Sequence, residues 1–182
     1  VDVSDPTKTV LGKLLGTFRQ SGGLFSHRTS FQGVSRWRSH VGCFADQVYP
    51  IYALTRYYRT SGDQQVLEPA RRCAVTLARL QGPRGQWWWH YHVHRGSVVE
   101  RYPVYAVQQD AMGPMALLEL MDAGAGCYRT SIAWGLKWLL THQEVCEPII
   151  DERAGLIWRK VARAGSTKFI RYVRATTTRL HW

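Results

Sequence analysis

Acidic residues are scarce in this chain: 13 Asp and Glu stand against 24 Lys and Arg in 182 residues, a formal net charge of +11. Such a balance attracts phosphates, anionic lipids or acidic glycans. No CxxC pair is present. The four cysteines, Cys43, Cys73, Cys127 and Cys146, are widely spaced, which argues against a structural zinc site. Cys73 and Cys127 lie in apolar helical stretches and read as small buried hydrophobes. Reduced thiols, and with them a cytoplasmic chain, are the expectation. No apolar run approaches the roughly 18 residues of a membrane span. Val1 to Thr9 lacks a basic start followed by an apolar core, so no signal peptide is expected. An initiator Met is also missing, which fits a processed or partial chain. There is no Gly-rich phosphate loop, nucleophile elbow or HExxH pair. Zinc-finger, RNP and helix-turn-helix signatures are absent too, so nucleic acid is not an expected partner. The densest basic stretch, Arg159 to Arg179, reads as a solvated helical surface.

What is present is apolar: 45% of residues are hydrophobic and 20% charged, a globular composition in a length that suits one domain. Val10, Leu11, Leu14, Leu15 and Phe18 predict a helix over Thr9 to Gln20, stopped by Ser21-Gly22-Gly23. Ser26 to Ser39 reads as an extended loop. Helical spacing returns at Val48, Ile51, Tyr52, Leu54, Tyr57 and Tyr58, with Asp46 at the favourable N-terminal end. Ser61-Gly62-Asp63 is a turn that stops this helix and caps the next, predicted over Gln64 to Leu80 with a stripe of Val66, Leu67, Ala70, Cys73, Ala74, Leu77 and Leu80. The short turn implies an antiparallel hairpin.

The pattern recurs. Asp110-Ala111-Met112-Gly113-Pro114 repeats the Asp and Pro of Asp46 to Pro50, and a partner helix follows over Tyr128 to His142. Gly155-Leu156-Ile157-Trp158 echoes Gly85-Gln86-Trp87. The expected organisation is a single domain, 1–182, with repeat units at about 44–104 and 108–160 and a basic segment over 161–182. A lone hairpin cannot bury both faces, so neighbours must stack. The expected fold is all-α: antiparallel helix hairpins forming an incomplete α/α-toroid, with a short β-like Trp/His-rich loop.

Gln81-Gly82-Pro83-Arg84-Gly85-Gln86-Trp87 fits a Q-x-x-x-G-x-W pattern. In this the chain resembles the squalene-cyclase and terpenoid-cyclase family within the α/α-toroid superfamily, which includes the protein prenyltransferases. That resemblance implies a structural motif joining a helix end to the next hairpin, and an isoprenoid in an aromatic-lined cavity. The family's DxDD and DDxxD motifs are absent. The general pattern is also similar to the six-hairpin glycosidases and polysaccharide lyases.

Candidate chemistry centres on Trp87 to Tyr105. Three consecutive tryptophans cannot share one face of an extended segment. Trp87, Trp88 and Trp89, with Tyr91, Tyr102 and Tyr105, are therefore candidates for a substrate-binding aromatic wall, stabilising a cation or stacking on a sugar. The alternative is that they pack the rim. His90, His92 and His94 alternate and can chelate a metal if a further ligand joins them; the competing reading is exposed loop histidines. Asp110, Glu100 and Asp46 are the candidate acid–base carboxyls. Equivalent placement of Asp46 and Asp110 in the repeat supports helix capping instead.

Three functions are expected from this: a terpenoid-cyclase-like protein acting on an isoprenoid, a carbohydrate-active protein (glycoside hydrolase, lyase or epimerase-like) acting on an oligosaccharide, or a non-catalytic helical scaffold. No cofactor is expected. A second copy or further chain would complete the ring.

Overall fold

The computed structural model describes residues 6–27, 38–104, 106–141, 145, 147–158, 173 and 177. Along them run α1 (Pro6–Leu15), β1 (Phe18–Arg19), β2 (Leu24–Phe25), β3 (Val41–Cys43), α2 (Ala45–Ser61), α3 (Gln64–Leu80), β4 (Trp88–His92) and β5 (Ser97–Pro103). A π-helical turn (Gln108–Met112) then leads into α4 (Gly113–Asp122), followed by α5 (Arg129–Thr141), β6 (Ile150–Asp151) and β7 (Leu156–Ile157).

The all-α toroid is corrected. Among the described residues there are three antiparallel sheets, β1–β2, β3–β4–β5 and β6–β7, beside five α-helices. Helices this few and this short do not build a ring of hairpins. The expected Trp/His-rich loop is instead the centre of a sheet, because its aromatic and β-branched residues find partners on both sides. Val41, Gly42 and Cys43 pair with His92, Tyr91 and His90, and β5 pairs with the other edge.

Helix pairing along α2 and α3 follows the local signals. Gly62 adopts φ 71° and its N–H bonds Tyr58 O at 2.7 Å, closing α2. Asp63 then caps α3, accepting from Gln65 N at 2.9 Å. The faces that meet are Val48, Ile51 and Leu54 of α2 and Val66, Leu67, Ala70, Cys73, Ala74 and Leu77 of α3, all buried. Each large apolar side chain so covered contributes about 1.5–3 kcal/mol relative to exposure.

One buried amide joins helix to strand. Gln47 accepts from Phe25 N at 2.8 Å and donates from Nε2 to Phe25 O at 2.9 Å and Cys43 O at 3.1 Å. It thereby satisfies both backbone groups of a strand residue that has no sheet partner on that side. Gly42 permits this approach, since a Cβ there would stand 2.8 Å from Phe25 O and 2.9 Å from Gln47 Nε2.

α1 starts and ends earlier than the Thr9 to Gln20 expectation. Leu11, Leu14 and Leu15 pack against the core, and the chain then turns into β1. The Q-x-x-x-G-x-W residues close the end of α3: Gln81 Nε2 donates to Gly85 O at 2.8 Å and to Ser131 O of α5 at 2.9 Å. This is a local joint between two helices rather than a link in a ring.

Candidate functional site

The expected aromatic wall does not form. Trp87, Trp88 and Tyr91 are 1%, 6% and 0% exposed and belong to the main core. Trp87 packs on Phe44 with ring centroids 5.7 Å apart, and Trp88 Nε1 caps the end of α3 on Leu80 O at 2.9 Å. Trp89 is partly buried against the same core and Tyr102 is half-buried. Tyr105 lies outside the described residues. Because β4 is the central strand, its large rings are consumed by packing on α2 and α3. Trp88 also edges a concavity of about 450 Å³ with Pro83, Arg84, Gln86 and Arg101, whose described lining holds no second aromatic ring.

The three histidines part company. β5 carries an extra residue between the Trp88 and His90 pairs and another between the His90 and Tyr91 pairs. These irregularities flank Glu100, whose Oε1 lies 2.8 Å from His90 Nδ1; the Glu100 side chain is only 3% exposed. His92 instead packs between His40 and His94, at ring-centroid distances of 4.7 and 6.3 Å. Among the described residues no group of three or more His, Cys, Asp and Glu is placed to hold a metal.

The three candidate carboxyls sit on different elements. Glu100 is engaged with His90. Asp46 accepts from Cys43 N at 2.7 Å through Oδ2, and its Oδ1 lies 2.9 Å from His27 Nδ1. Asp110 falls in the π-helical turn, where burial pushes its carboxyl above the usual carboxylate range. The repeat made Asp46 and Asp110 equivalent, yet one closes the start of α2 and the other sits in a widened turn. Beside Asp110, Gln109 Oε1 accepts from Trp87 N at 2.9 Å.

Cys43 faces His90 across a non-hydrogen-bonded pair, since Phe44 N bonds Trp89 O at 3.1 Å just beyond it. Side chains approach closely there. Burial, reinforced by the Asp46 carboxylate, nonetheless pushes the Cys43 thiol up to about 12. It is a protonated thiol rather than a poised nucleophile.

A basic concavity lies elsewhere. Ser21, Gly22 and Gly23, the α3 residues Arg71, Arg72, Val75, Thr76 and Arg79, and Arg95 surround an open cleft of about 260 Å³. Among the described residues no carboxylate lines it. Arg72 and Arg79 are seven residues apart, so α3 presents them on one face. Each is held in place. Arg72 donates to the side chain of Gln20 and, at 2.7 Å, to Gln20 O, while its guanidinium lies 5.4 Å over the Phe18 ring. Arg79 Nη2 donates to Gly96 O at 2.9 Å. Arg71 is paired with Glu68 at the rim, at 2.8 Å.

Two glycine turns make the lips meet. A Cβ on Gly22 would collide with Val93 O and would lie 2.7 Å from Gly96 N, so only glycine allows this contact. Arg95 N donates to His92 Nδ1 at 3.3 Å, which ties the Arg95 turn to the imidazole cluster. Burial and neighbouring charge act together on those rings. Burial first, then His40, Arg95 and His94, hold His92 down at about 4, and burial with Arg19 lowers His94. Both imidazoles are thus neutral at pH 7 with cations beside them.

The composition of this cleft was open to inspection in Arg72, Thr76 and Arg79, which share a helix face. The signal was weak, because a basic helix stripe is ordinarily solvated surface. Nothing local linked it to Arg95.

No protein-family model matches the chain, and no curated protein or solved structure matches it. The resemblance to the cyclases and to the six-hairpin glycosidases is therefore overturned: it rested on one short motif that serves a helix joint here. The isoprenoid, carbohydrate and scaffold functions fall with it, as does the aromatic cavity they required.

Proposed function

We propose that this protein binds a phosphate-bearing anion in the arginine cleft. One observation carries the reading: Arg72, Arg79 and Arg95 line a cleft at the Ser21–Gly23 turn, with Arg71 at its rim, and among the described residues no carboxylate lines it. Guanidinium groups match phosphate oxygens in charge and in fork geometry. Arg72 and Arg79 are already ordered by Gln20 and Gly96, so binding costs little side-chain entropy. The net charge of +11 adds long-range attraction. No described helix is long and apolar enough to cross a membrane. A cytoplasmic setting is part of the reading, supported by Cys43, Cys73 and Cys127 being free thiols.

Isothermal titration with pyrophosphate at low ionic strength tests it. The wild type is expected to bind, and Arg95→Gln and Arg79→Gln to weaken binding at least tenfold, the equivalent of about 1.4 kcal/mol each. Proton NMR gives a second readout: bound phosphate should raise the depressed His92 and His94 titrations. No heat and no imidazole shift from a cooperatively folded sample would sink the proposal.

A further inference from the structure

We infer that the chain binds one buried water molecule where the residue before β4, the π-helical turn and α5 meet, held by the Trp87 indole and the Gln109 main chain. The inference is independent of the arginine cleft.

Unspent hydrogen-bonding capacity marks the place. Trp87 Nε1, Gln108 Oε1 and Gln109 Nε2 are buried without a hydrogen-bond partner among the described residues. A buried polar group left unpaired is costly, and folded proteins satisfy nearly all of them with protein groups or ordered water. A further acceptor follows from the sequence. Gly113 N donates to Gln108 O, the i→i+5 bond of a π-turn. The next donor in that register would be Pro114, which has no N–H, so Gln109 O goes without this bond. Gln109 is 0% exposed, and bulk solvent does not reach it.

Glycine brings these atoms to one point. A Cβ on Gly135 of α5 would stand 3.0 Å from Trp87 Nε1 and 3.7 Å from Gln109 O. The gap that Gly135 leaves is thus bordered by an indole donor and a freed carbonyl. Gln81 Nε2 borders it at 3.6 Å but is already committed to Gly85 O and Ser131 O. The Gln109 amide is held against the same strand end, its Oε1 accepting from Trp87 N at 2.9 Å, which leaves Nε2 as the remaining donor. A buried water makes about three hydrogen bonds and both donates and accepts. Here it accepts from Trp87 Nε1 and donates to Gln109 O.

Charge and size select the ligand. The indole, the amides and the carbonyl are all neutral, so an ion would be buried without compensation. On the other side a Cβ on Gly113 would lie 3.4 Å from the same Nε1 and 3.3 Å from Phe44 Cζ. Two backbones close on the indole edge, which leaves room for a single small group.

Proton NMR of protein carrying isotope-labelled tryptophan tests this, with the Trp87 indole identified by the resonance lost in Trp87→Phe. Its Hε1 should show a cross-peak at the water frequency, with the sign of the diagonal in NOE spectra and the opposite sign in ROE spectra. That pattern marks a long-lived water rather than proton exchange. Gly135→Ala, whose methyl takes the water's place, should abolish the cross-peak. A high-resolution crystal structure should place one water within about 3.2 Å of both Trp87 Nε1 and Gln109 O. No such cross-peak from cooperatively folded wild type would overturn the inference, whether or not Gly135→Ala folds. A cross-peak that survives in folded Gly135→Ala would place the water elsewhere and also reject it. So would a crystal structure with Nε1 bonded directly to Gln109 O, or with an ion or larger molecule at the junction.

Discussion

His92→Gln isolates the titration of the buried imidazole that accepts from Arg95 N. An ordinary histidine takes its proton near pH 6.5, and in the fold His92 does so only at about 4. A depressed base makes the sign definite. Above pH 6.5 the ring is neutral folded or unfolded, and its contribution is fully present. As pH falls from 6.5 toward 4 the unfolded chain binds a proton that the folded chain refuses, and stability is lost. At pH 4.5 the loss amounts to about 2.5 kcal/mol if the whole difference is expressed. Partial water screening of the ring reduces this to about 1.5 kcal/mol. His94, also lowered, acts in the same direction, and Asp110, raised, acts in the opposite one. The informative quantity is therefore the difference between wild type and variant. Urea unfolding at pH 7.5 and 4.5 supplies it. Wild type should lose about 1.5 kcal/mol more than His92→Gln on acidification. Identical pH dependence in the two proteins would refute the claim that burial and the surrounding cations hold this ring neutral.

Three further expectations concern the fold and its thiols. Gln47→Leu strips the partners from Phe25 N, Phe25 O and Cys43 O; chemical denaturation should show a loss of about 3–4 kcal/mol, and a loss under 1 would show that the amide is not needed there. Gly85 has φ 91° and its missing Cβ would land on Trp134 O, so Gly85→Ala should cost at least about 3 kcal/mol by thermal melting, with α5 pushed off its seat. Alkylation by iodoacetamide at pH 8, followed by mass spectrometry, should modify exposed Cys127 quickly and leave Cys43 and the buried Cys73 almost untouched, since burial raises both thiols. Fast modification of Cys43 would instead restore it as a reactive residue opposite His90.

Local chemistry alone determined several elements. Gly62 and Asp63 specify a stop and a start in adjacent residues, because one tolerates a left-handed backbone and the other bonds an orphan helix N–H. The α3 stripe was legible because its apolar spacing matches the helix repeat. The α2–α3 pairing followed from a turn too short for any other arrangement. Strand character at Trp88 to His92 was legible in the same way, from residue type. Its partners were not. β3 spans only Val41–Cys43, too short to show a period, and its register with β4 is a contact between residues some 50 positions apart in sequence. That pairing put the tryptophans into the core and undid the aromatic wall. Irregular pairing on β5 gave His90 to Glu100, while His40 and His94 flank His92, and so dispersed a histidine trio that looked like a ligand set. The arginine cleft is the clearest case of tertiary decision. Arg72 and Arg79 share a helix face by spacing, but Arg95 reaches them only because Gly22 and Gly96 let two backbone turns touch. Composition determined that the protein would be strongly basic. Which cations face one another depended on close approach between segments distant in sequence, and no local propensity encodes that.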